Sequence, residues 1–177
     1  MTFYHYTAAE YLRPIAKYGL TVGDVPTDLA KYKGRVGVWL TTSDQPNGHG
    51  LEGTRAVNKR RFRLTVEPPP NVPLVKWTEW APGHVTPVTI SNLRANNGRC
   101  EDTWHVVFGH IPASCIVAVH DLSTGCEVPD WGDYIPEHES LPGTPFWRRE
   151  AWQRKTLGGV RRRDRALIEM GVRIEYA

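Results

Sequence analysis

Apolar and polar positions alternate with different periods along the chain, and the period decides each element. Thr2 to Tyr6 is a short aromatic-rich segment that predicts a strand, with Phe3 and His5 on one side and Tyr4 and Tyr6 on the other. Thr7-Ala8-Ala9-Glu10 fits a capping box, in which the Thr hydroxyl and the Glu carboxylate satisfy free amides at a helix start. Ala8, Tyr11, Leu12, Ile15 and Ala16 share one face of the helix that follows, and Gly19 is placed to end it. Asp24 to Arg35 is polar and predicts a loop, whereas Val36 to Thr42 is apolar and β-branched enough for a buried strand. Residues 43–50 form a turn-rich segment. Arg61 to Val66 then alternates as a strand with one wet face, ended by Pro68-Pro69-Pro70.

The second half reads as short strands separated by helices. Leu74 to Trp77 predicts a strand, and Thr86-Pro87 opens a helix through Leu93, because Thr caps well and Pro suits the first turn. Trp104 to Phe108 and Ile116 to Val119 predict two more strands, and Asp121 to Gly143 is a surface excursion. Thr144-Pro145 starts a helix from Phe146 to Lys155. Gly158-Gly159 interrupts it, Val160 to Met170 resumes it, and Gly171 ends it. Val172, Ile174 and Tyr176 alternate as a last strand. Strands and helices in this order predict one α+β domain over residues 1–177, with a basic helical segment over 144–171.

Composition narrows the picture. The 177 residues include seven Trp and fourteen Pro, so an aromatic core and many loops are expected. No run of about 20 apolar residues spans a bilayer, and Met1-Thr2-Phe3-Tyr4-His5 lacks a signal-peptide pattern, so a cytoplasmic protein without a membrane partner is expected. Cys100, Cys115 and Cys126 are odd in number and without metal spacing, which predicts reduced thiols. His105 and His110 fall on opposite faces of a strand and its exit, so they make no zinc pair. The metalloprotease, hydrolase, P-loop and Gly-x-Gly-x-x-Gly signatures are missing. The net charge is +3, but between Arg148 and Arg165 eight cations face Glu150 and Asp164. That stretch carries +6 and the remainder −3. Such a patch suits a phosphate-rich partner or a solvated helix face.

Phe3-Tyr4-His5-Tyr6-Thr7, a helix ending at Gly19-Leu20, and Gly37-Val38-Trp39-Leu40-Thr41 running into Thr42-Ser43 resemble the ADP-ribosyltransferase superfamily. The likeness is to bacterial and phage members, including those that modify DNA, and covers roughly the first 45 residues. It implies an ADP-ribosyltransferase-like split β-sheet with flanking helices, and NAD as substrate. By position, His5 and Thr7 are implied to hold ribose hydroxyls, Tyr6 or Trp39 to stack the nicotinamide, and Thr41 and Ser43 to hydrogen-bond around it. The implied acid before a later strand is Glu101, with Glu79 second. Cleavage of the nicotinamide–ribose bond passes through an oxocarbenium-like transition state, which is why hydroxyl anchors, an aromatic surface and one carboxylate belong together. His49 in Gly48-His49-Gly50 is placed to close over a ligand. DNA or RNA is the acceptor expected at Arg148, Arg149, Arg161, Arg162 and Arg163, with Trp147 or Trp152 stacking on a base.

The sequence departs from the family in lacking a paired-tyrosine nicotinamide clamp and a Glu-x-Glu or Gln-x-Glu. Two other functions stay open: an RNA 2′-phosphotransferase, and a non-catalytic nucleic-acid or protein binding module of the phage-inhibitor type. Each residue also has a structural reading. His5 and Trp39 suit a core, Thr41 and Ser43 a strand end, Glu101 an exposed charge, and Trp147 and Trp152 a helix anchor.

Overall fold

The computed structural model describes residues 1–52, 57–97 and 100–174. Seven strands form one antiparallel sheet: β1 (Phe3–Thr7), β4 (Val38–Thr41), β5 (Phe62–Val66), β6 (Leu74–Lys76), β7 (Trp104–Val107), β8 (Ile116–Asp121) and β9 (Cys126–Glu127). Their order is β6-β7-β4-β1-β5-β8-β9. β2 (Asp24–Asp28) and β3 (Lys33–Val36) make a separate two-stranded sheet. The helices are α1 (Leu12–Tyr18), α2 (Trp77–Trp80), α3 (Pro87–Asn97) and α4 (Arg149–Glu169). Together they form a single α+β domain.

Cross-strand partners lie on one face of a sheet. Pairing of Phe3, His5 and Thr7 with Val66, Leu64 and Phe62 therefore sends the apolar positions of β5 to the side that carries His5. Leu12 and Ile15 of α1 pack there with Val38, Leu40 and Val107 in the larger core. Leu12 is fully buried, so trimming such a side chain to Ala costs about 2–5 kcal/mol. The opposite face carries Tyr4, Tyr6, Trp39, Thr41, Arg63 and Trp104. Over β4 and β7 it is covered by a second core of Val25, Trp77, Ala81 and Val85.

Sheet continuity is uneven. Five positions pair between β1 and β5 and four between β4 and β7, but β1 and β4 share only Tyr4↔Thr41. The sheet is thus narrowest where its two halves meet.

Several expectations are corrected. The capping box does not form: Thr7 stays in β1 opposite Phe62, the helix opens with a 3-10 turn at Ala9–Tyr11, and no side chain caps it. One more residue of strand pairing removes the hydroxyl from the cap position. Asp24 to Arg35 is not a loop but the β2–β3 hairpin. Its polar composition hides Val25, which is fully buried in the second core. Trp77 starts α2 rather than ending β6. Gly158 and Gly159 do not interrupt α4, which runs for 21 residues. Each glycine costs a helix about 1 kcal/mol without blocking its hydrogen bonds, and Gln153 and Arg149 hold the N-terminal part to the domain. Residues 172–174 are not a strand, and Tyr176 lies outside the described residues.

Gly19 ends α1 as expected, with φ 75°. A Cβ there would stand 2.1 Å from the Ile111 carbonyl oxygen, where Leu20 and Ile111 form a bridge. Gly19→Ala is expected to lower stability by about 3 kcal/mol in urea unfolding, because positive φ and the backbone clash add. A loss below about 0.5 kcal/mol, the range of an ordinary surface change, would contradict this packing.

Candidate functional site

The junction between β1 and β4 places His5. Its Nδ1 lies 2.9 Å from the Trp39 carbonyl oxygen. A carbonyl only accepts, so Nδ1 carries the ring proton and donates, leaving a lone pair on Nε2. Nε2 has no hydrogen-bond partner among the described residues. Burial pulls the imidazole down to about 4, and the positive charge of Lys59 acts in the same direction. His5 is therefore a neutral hydrogen-bond acceptor at neutral pH. Thr7 shares its face and is buried.

On the opposite face the 43–50 segment folds back over Tyr6. The His49 ring stacks on Tyr6 at 5.6 Å, nearly parallel. Trp104 Nε1 donates to His49 Nδ1 at 2.9 Å, so the proton sits on Nε2, which donates to the Gln45 carbonyl at 3.0 Å. Both nitrogens are satisfied only while the ring is neutral, and burial lowers its pKa. Tyr6 donates its hydroxyl to the Ser43 carbonyl at 3.0 Å, and burial raises its phenol above the usual range.

A relay joins this segment to the turn before β7. The Ser43 amide donates to Thr41 Oγ1, Thr41 donates to Thr103 Oγ1 at 2.8 Å, and Thr103 donates to the Cys100 carbonyl at 2.7 Å. Glu101 opens that turn, the 3-10 segment Glu101–Thr103. Both its carboxylate oxygens accept from Arg94 Nε at 2.8 Å.

The structure thus brings Tyr6, Thr41, Ser43, His49 and the Glu101 turn into one bonded cluster, and sets His5 and Thr7 on the other side of the same strand. Trp39 is engaged by protein: its ring packs on Trp77 and Trp104 at 5.0 and 5.8 Å, and its indole N–H donates to the Asp24 carbonyl. Glu79 is exposed on α2. Sequence reading missed Trp104, Thr103 and Arg94. The alternation of Trp104 and Val106 against His105 and Val107 gives the face that Trp104 occupies, whereas its pairing with Thr41, like that of Arg94 with Glu101, is set by the fold alone.

The basic segment divides as well. Arg148, Arg161 and Arg162 are exposed, and Arg161 lies over the Tyr32 ring at 5.2 Å. Arg149 turns inward, donating to the Thr21 and Val36 carbonyls at 2.7 and 3.2 Å. Arg163 pairs with Asp164, which is fully buried. Trp147 is 70% exposed, while Trp152 is half-buried. A shallow groove of about 650 Å³ lies apart from all these residues, against Arg13, Lys17 and Tyr18 of α1 and Gly132 and Asp133. Among the described residues there is no metal-type cluster and no helix long and apolar enough to cross a membrane. No family model, curated protein or solved structure matches the chain.

A histidine held neutral by folding makes stability fall with acid. The unfolded ring takes up a proton near 6.5, while the folded one resists until about 4. The stabilisation is complete above pH 6.5 and is lost as pH falls through that window. Urea unfolding from pH 7 to 4 is expected to show a decline that His5→Gln makes shallower by on the order of 2 kcal/mol. Parallel profiles would contradict the burial of a neutral ring.

Proposed function

We propose that the chain is an NAD-dependent ADP-ribosyltransferase that cleaves the nicotinamide–ribose bond and modifies a nucleic acid. The observation that carries this reading is the His5 tautomer: Nδ1–H is held by the Trp39 carbonyl, so Nε2 offers a fixed lone pair at the β1–β4 junction. A ribose hydroxyl is a donor that suits such an acceptor. The narrow β1–β4 pairing supports an ADP-ribosyltransferase-like split sheet, with β6, β7 and β4 in one half and the remaining strands of the large sheet in the other.

The residues fit NAD in part. His5 suits a ribose, and Thr7 adjoins it along the strand. Tyr6 and Trp39 now contact His49, Trp77 and Trp104, so nicotinamide stacking on Tyr6 requires residues 43–50 to lift. When bound, NAD supplies a bond whose electron pair leaves with nicotinamide, placing positive charge on the ribose. Glu101, oriented by Arg94 and joined to the Tyr6 cluster on the face opposite His5, is the carboxylate this reading assigns to that charge, so NAD has to reach both faces at the β1–β4 junction. The exposed arginines of α4 supply phosphate contacts for the acceptor.

The test is nicotinamide release by purified protein with and without single-stranded DNA and RNA. His5→Ala and Glu101→Gln are each expected to reduce release by about 100-fold. Paired Arg161→Glu and Arg162→Glu changes are expected to remove only the nucleic-acid-dependent modification. Arg163 is left intact because of Asp164. Neither release nor NAD binding under any of these conditions would overturn the reading.

A further inference from the structure

Across β1, β5, β8 and β9 the register sets Tyr6 beside Arg63, Arg63 beside His120, and His120 beside Glu127. These residues form one polar row on the face opposite the larger core. Two atoms in the row are anomalous: Arg63 Nε and His120 Nδ1 are buried, yet neither has a hydrogen-bond partner among the described residues. Buried polar atoms are normally satisfied, and an orphaned one costs about 1–3 kcal/mol. Here two of them are cross-strand neighbours.

Arg63 is already oriented. Its guanidinium lies 5.0 Å from the Tyr4 ring, and Nη1 donates to the Asp44 carbonyl at 3.1 Å. The edge formed by Nε and Nη2 has no hydrogen-bond partner among the described residues, and such an edge matches the paired oxygens of an oxyanion. Thr65 lies two residues along β5 on the same face, so its hydroxyl adds a further polar group. Arg63, Thr65 and His120 are each half-buried, but Nε and Nδ1 are themselves covered, so an anion reaches them only when the side chains over the row move aside. Of the adjoining carboxylates, Asp44 accepts from the Gln45 amide, and Glu127 is exposed at the end of the row.

We infer that Arg63 and His120 form an oxyanion site for a phosphoryl group, carried by a free nucleotide or by a nucleic-acid backbone. A tetrahedral phosphate has enough acceptor oxygens to meet Nε, Nη2 and the imidazole together. The site is independent of the transferase reading, since it uses neither His5 nor Glu101.

The experiment follows the Arg63 Nε–H and His120 ring resonances by NMR during titration with inorganic phosphate, ADP and a single-stranded oligodeoxynucleotide, at constant ionic strength in chloride. A saturable change at both residues with millimolar phosphate is expected. Arg63→Lys keeps the charge but lacks Nε, and is expected to weaken binding about tenfold as read at His120. His120→Gln is expected to weaken it about fivefold as read at Arg63. Lys33→Gln, at an exposed cation of β3, leaves phosphate binding unchanged. Tighter binding of ADP assigns the site to nucleotides, and tighter binding of the oligodeoxynucleotide assigns it to a strand backbone. No saturable change with any of the three probes, or unaltered affinity in Arg63→Lys, would overturn the inference.

Discussion

The hydrogen bond from His5 Nδ1 to the Trp39 carbonyl spans the β1–β4 junction, where backbone pairing is reduced to Tyr4↔Thr41. A side chain here supplies a connection that backbone ladders supply elsewhere in the sheet. Its consequences reach both halves of the molecule. Holding Nδ1–H fixes the tautomer, and burial keeps the ring neutral, so Nε2 remains an acceptor. Replacing the imidazole removes the cross-junction bond and the acceptor together.

Strand alternation then divides the chemistry between two faces. The face of His5 is largely apolar and is packed by α1, while the opposite face carries aromatic and polar groups that the 43–50 segment covers. That segment is held by oriented hydrogen bonds rather than by a large apolar surface: His49 between Trp104 and Gln45, and Ser43 between Tyr6 and Thr41. Each such bond contributes about 0.5–1.5 kcal/mol net, so the cover is firm while requiring less energy to displace than a core helix. The same economy appears at α4. Arg149 and Gln153 fasten its first turns to the hairpin region, leaving Arg161 and Arg162 facing solvent.

Much of the sheet was legible from the sequence because its strands keep period two with one apolar face. Phe62, Leu64 and Val66 against Arg61, Arg63 and Thr65 announce β5, and Gly19 announces the end of α1 before a close backbone contact. The β2–β3 hairpin was hidden because one buried residue in each strand, Val25 and Val36, is too little to set a period. The glycine pair in α4 misled because local propensity is weak beside the anchoring of the helix by tertiary contacts. In the candidate site, Thr41, Ser43 and His49 lie close along the chain, whereas Tyr6 reaches them only through strand pairing and the fold-back of residues 43–50. The separation of His5 onto the other face also follows from strand alternation. Links set by tertiary folding, such as Glu101 with Arg94 and Arg63 beside His120, leave no local sequence signal.

The most direct measurement is the two-bond ¹⁵N–¹H correlation spectrum of the His5 ring at neutral pH, before and after addition of NAD. A neutral Nδ1–H tautomer whose Nε2 resonance moves upfield on NAD addition is the predicted result, since a hydroxyl would then donate to that lone pair. A protonated ring, the Nε2–H tautomer, or an Nε2 resonance unmoved by saturating NAD would contradict the account.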